Sequence, residues 1–169
     1  NLFLGFAQAF GDIKLYYQLL SSEITMLGEE DGTPIYDTFI PQSGFNLMYS
    51  SSNNFLYVAF SQLNSYFTDS DIYVQKFSEN GVAQYSDPIL LVDNFLMDDN
   101  IIFVAELDNS NVIIGYDSGS FTTGTRSLVL AFDSQGNVID DWTDIGGDIT
   151  GKRLSSNEND QFIKGYANS

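Results

Sequence analysis

The sequence predicts an all-β fold assembled from repeated sheets of four strands, and three observations predict it. A short apolar phrase recurs along the 169 residues, and a second phrase keeps the same step. Apolar residues alternate or run in short blocks bounded by Gly, Asn, Asp and Ser, with no sustained spacing of three and four that would mark a helix. Residues 13–20 come nearest to helical spacing, but their tyrosine pair favours strand.

The first phrase is an apolar strand ending in a small residue, an aromatic and a polar pair. Its four copies carry the aromatics Phe6, Phe60, Tyr116 and Tyr166, at steps of 54, 56 and 50 residues. In the second phrase, Asp71-Ile72-Tyr73-Val74-Gln75-Lys76-Phe77 lines up with Arg126-Ser127-Leu128-Val129-Leu130-Ala131-Phe132 at an offset of 55. Each runs into a polar turn closed by Gly81 or Gly136, where positive φ suits glycine, so each reads as a strand entering a hairpin. Residues 82–85 and 137–142 read as the returning strands, and residues 45–50, 100–107 and 152–155 as a strand before each first phrase. Four strands per period describe a β-propeller blade. The first period is irregular: its third strand falls either at 12–18, with an enlarged turn, or at 23–27, with 12–20 as an insertion.

A sheet of about 50 residues cannot shield both of its faces, so such blades must stack around an axis to exclude water. The expectation is therefore a β-propeller segment of about three four-stranded antiparallel blades in a single unit, 1–169, with repeats at 1–54, 55–110 and 111–161 and the start of a fourth at 162–169. Three periods fall short of the four to eight blades that usually close a ring. The opening Asn1 and the lack of a basic, apolar leader add to the expectation of a processed or excised piece of a larger propeller or assembly.

Composition narrows function. Six Lys+Arg against 23 Asp+Glu give a formal charge of −17, a field that repels nucleic acid and anionic membrane surfaces. No apolar run approaches the roughly 20 residues that span a bilayer. There is no Cys and no His, which removes disulfides, thiol nucleophiles, imidazole catalysis and the usual zinc ligands. Phosphate-cradling glycine loops and Gly-x-Ser-x-Gly nucleophile turns are missing too.

The stretch 111–148 resembles the bacterial-type β-propeller repeat. Val112-Ile113-Ile114-Gly115-Tyr116 matches its strand phrase, Asp133-Ser134-Gln135-Gly136-Asn137 its Asp-x-x-Gly-Asn turn, Trp142 its tryptophan and Gly146-Gly147 its glycine pair. Asp71 keeps the aspartate that leads its second strand, while Arg126 replaces it one period later. The resemblance implies an exported or surface-displayed repeat protein, secreted or cell-surface, and brings no catalytic residues with it.

Acidic clusters are the chemically suggestive feature: Glu29-Glu30-Asp31, Asp69-Ser70-Asp71, Asp98-Asp99, Asp140-Asp141, and Asp144 with Asp148. Ca²⁺ is the one cofactor they would suit, yet none has the alternating acids and glycine of a dedicated calcium loop, and solvated loop charge is the plainer reading. Trp142, Tyr66, Phe67, Tyr85 and Phe121 lie where a lectin would stack sugars, or else pack between blades. No catalytic, cofactor-binding or metal-ligating residue stands out, so the sequence reads as a non-enzymatic extracellular structural, adhesive or protein-interaction module. Its expected partners are other proteins or copies of itself. The alternative is a carbohydrate-binding or glycoside-processing propeller, in which one carboxyl group protonates the leaving oxygen and a second activates water or attacks.

Overall fold

A computed structural model describes residues 2–10, 12–20, 23, 32–36, 42–50, 52–64, 66, 68–94, 96–107, 110–120, 124–142, 154–156 and 162–164. The described residues contain strands and turns and no helix. The first blade holds β1 (Leu2–Phe10), β2 (Asp12–Leu20) and the short β3 (Thr33–Pro34). The second holds β4 (Gln42–Ser50), β5 (Phe55–Leu63), β6 (Ser70–Ser78) and β7 (Ile89–Val92). The third holds β8 (Asp98–Glu106), β9 (Val112–Ser120), β10 (Gly124–Phe132) and β11 (Val138–Trp142), and β12 (Leu154–Ser156) pairs with β13 (Phe162–Lys164) beyond it.

Within each blade, strands pair antiparallel with their sequence neighbours, and one parallel bridge, Ser70↔Asp98, joins the second blade to the third. This is the layout of a β-propeller segment. The third strand of the first blade is β2, paired along its whole length with β1, which settles the register in favour of residues 12–18; residues 24–27 of the other choice lie outside the described residues. The returning strand of the second blade is displaced. Residues 82–85 contribute a single bridge, Phe77↔Ala83, and the ladder with β6 is made by β7 instead. Pro88 has no N–H to donate and interrupts any continuous ladder, and the apolar run of β7 follows directly after it.

Stacking gives β5 its unbroken burial. Leu56, Val58 and Phe60 pack with Leu15, Tyr17 and Ile35 of the first blade, while the alternate Tyr57 and Ala59 pack with Val104, Ile114 and Phe132 of the third. Tyr17 lies against Phe77 at 4.7 Å between ring centroids, and Tyr57 meets Phe132 edge-on at 6.1 Å. Polar ties seal the same junctions: the Tyr17 hydroxyl donates to the Gly81 carbonyl at 2.7 Å, and Lys76 Nζ donates to the Ser134 carbonyl at 3.0 Å with the Phe55 ring 4.0 Å away. A buried aromatic core between sheets that have no closed core of their own is what a propeller requires.

Candidate active site

At one end of the second blade, beside the linker that leads to the third, a cavity of about 610 Å³ opens. It is lined by Asn64, Thr68, Asp69, Asp71 and Asp93, with Tyr66, Tyr73 and three leucines as its apolar walls. Local sequence explains its shape. Asn64 Oδ1 accepts from the backbone N–H of Tyr66 at 3.0 Å and of Thr68 at 3.2 Å, and its own N–H donates to the Asp69 carbonyl at 2.9 Å, so the β5–β6 loop folds back on Asn64. On the other side, the linker from β7 to β8 turns sharply at Leu96, a non-glycine residue at φ 60°. That turn aims the Leu96 N–H at Asp69 Oδ2, 2.5 Å away.

Two aspartates separated only by Ser70 therefore sit in opposite environments. Asp69 is buried and well supplied with donors: Leu96 N–H on Oδ2, and the Asn64 amide and, at 3.2 Å, the Thr68 hydroxyl on Oδ1. Asp71 is only 5% exposed, and its Oδ1 is buried with no hydrogen-bond partner among the described residues. Burial above all, then the neighbouring charges of Asp93, Asp69 and Asp99, push the Asp71 carboxyl up to about 6. Asp99 is itself fully buried, and burial pushes it up to about 6 as well, against the hydrogen bonds it accepts from Asn94 and Ser118.

The acidic and aromatic residues singled out from sequence part company here. Asp69, Asp71 and Tyr66 come together in the cavity, and Tyr66, 82% exposed, stands at its rim. Asp98 faces a separate polar hollow of about 320 Å³ with Asn100 and Asp117. Tyr85 packs against the core and donates to the Ser134 carbonyl at 3.1 Å, which makes it a packing residue. Asp140, Asp141 and Trp142 lie in β11, where only the backbone pairing is described, and Glu29, Glu30, Asp31, Phe67, Phe121, Asp144 and Asp148 lie outside the described residues. Sequence reasoning misses Asp93, a single acid directly after Val92 of β7. Its one signal is its place at a strand end, where the chain leaves one blade for the next. Among the described residues, no three acidic side chains converge as ligands for a metal ion. The chemistry the arrangement offers is proton transfer: a bare, buried carboxyl group that holds its proton up to about pH 6, beside one oriented by fixed donors.

No family model matches this chain, and no curated protein matches it. Among solved structures it is similar to an endo-arabinase from Bacteroides thetaiotaomicron VPI-5482, with a TM-score of 0.63 and 12% sequence identity over 96% of this chain and 64% of that one. The chain thus spans just under two thirds of that enzyme's length. The likeness supports the propeller architecture, without assigning the chain to the bacterial-type repeat family. It also corrects the expectation of a non-enzymatic structural or adhesive module. The fold is shared with an enzyme, and a buried carboxyl group whose Oδ1 has no partner among the described residues lines an open cavity.

Proposed function

We propose that this chain is a glycoside-processing propeller segment that hydrolyses glycosidic bonds in the cavity at the end of its second blade. The observation that carries the reading is Asp71, buried, without a partner on Oδ1 among the described residues and lining the same cavity as Asp69. Asp71 donates its proton to the leaving glycosidic oxygen, and Asp69, aligned by Leu96 N–H and Thr68, activates water or attacks the sugar carbon. Tyr66 at the rim offers a face for a sugar ring. The propeller fold shared with an endo-arabinase supports this reading, and the resemblance to exported repeat proteins supports a glycan met outside the cell.

The test is release of reducing ends from a panel of polysaccharides by the purified chain and its Asp71→Asn variant. Hydrolysis that falls at least about a hundredfold in the variant is the expected result. Equal activity in both proteins, or none on any glycan, would overturn the assignment.

A further inference from the structure

With Asp71 and Asp69 given the reacting roles, a third carboxyl group lining the cavity acts on the reaction only through its charge. Asp93 is exposed at the end of β7, and none of the lining residues is a lysine or arginine that would balance it. The absence of converging acidic ligands among the described residues argues against a bare metal ion as the balancing charge, and a cavity of about 610 Å³ has room for an organic cation on a sugar scaffold. The Asp71 side chain, buried in the same lining and with its Oδ1 unpartnered among the described residues, is a second feature that points to a ligand. Tyr66 and Tyr73 add aromatic faces of the kind that attract ammonium groups. The net charge of −17 raises the local concentration of cationic ligands and lowers that of uronic or sulfated ones.

We propose that the glycan taken by this cavity carries a protonated amine, as in an amino sugar, and that Asp93 is the residue that recognises it. This rests on the glycoside-processing reading of the same site. Asp93 selects the substrate by charge at the cavity mouth, leaving Asp71 free to hold its proton deeper in.

The test is titration calorimetry of the 169-residue chain with the glucosamine disaccharide and with its N-acetylated counterpart, in about 150 mM salt so that diffuse attraction to the acidic surface is screened. The free amine is expected to bind on the order of tenfold more tightly than the acetylated form. Asp93→Asn should abolish that preference, and Asp87→Asn, an exposed acid outside the cavity lining, should preserve it. Equal binding of the two disaccharides would overturn the amine assignment and leave the glycan reading standing. Binding of neither would overturn the amine assignment, while hydrolysis across the polysaccharide panel decides the glycan reading separately. A preference that survives Asp93→Asn would overturn the role given to Asp93.

Discussion

Asp71 and Arg126 occupy equivalent positions in successive blades, each six residues before the buried phenylalanine of its third strand, and they have opposite fates. Asp71 sits opposite Gln62 and is buried; Arg126 sits opposite Ser118 and is exposed. Both strands nonetheless pair with their inner neighbours over nine residues without a break. The repeat therefore does not need an acid at this point to build its sheet. At this position blade two carries a buried carboxyl group and blade three does not, and an unsatisfied polar group of this kind costs about 1–3 kcal/mol. Retaining such a group in an open cavity is the mark of a site more than of a scaffold.

The sharpest way to break this contrast is to neutralise each member. Asp71→Asn should lower hydrolysis by about 10²–10⁴-fold in reducing-end assays, whereas Arg126→Ala should leave turnover unchanged; equal losses would put the two positions back on the same footing. A control comes from a pair of positions where the blades agree. Phe77 and Phe132 stand at the same point of the repeat and are both buried, so Phe77→Ala and Phe132→Ala should each destabilise by about 3–5 kcal/mol in denaturant melts. A marked inequality would show that the blades are not equivalent in packing either.

Acidity gives a smaller effect, of opposite sign to ordinary acid denaturation. Asp71 and Asp99 are both held at about 6, above the 3.8 of a free aspartate. The folded state therefore binds their protons more tightly than the unfolded state does. Their favourable contribution is complete below pH 3.8 and is lost as pH rises through about 6. Stability should consequently fall between about pH 4 and about pH 7 by about 1–3 kcal/mol in urea melts, and Asp71→Asn with Asp99→Asn should flatten that slope. A curve that rises over the same interval would mean that these carboxyl groups are paired in a way the geometry does not provide. The smallest effect expected is on stability at Arg126, where removing an exposed side chain should change it by no more than about 0.5 kcal/mol.

The blades are legible in sequence because their cause is local and repeated. Alternate residues of β5 serve two different interfaces, so the strand reads as a continuous apolar run, and the four-copy phrase records that demand directly. The returning strand at β7 is harder to place, since Val82 and Tyr85 look as much like a strand as Ile89 to Val92 do, and the choice is made by Pro88 and by packing of Ile89 against the core. The site is the least legible part. Asp69 and Asp71 stand out as an acidic pair, but nothing among 23 acids tells which of them loses water and which keeps its donors. That division depends on the linker after β7, where Leu96 reaches Asp69 from 27 residues further along the chain and Asp93 joins the lining. The proposed proton donor escapes the sequence for the same reason, since a single carboxyl group leaves no spacing pattern to read.

Whether Asp71 keeps its proton well above the ordinary aspartate range is measured directly by carboxyl-carbon NMR titration of the folded chain, with the signal assigned by its loss in Asp71→Asn. The expected midpoint is about 6. A midpoint at or below the free value of 3.8 would mean an ionised, solvated or paired carboxylate there, and the proposed proton donor would be gone.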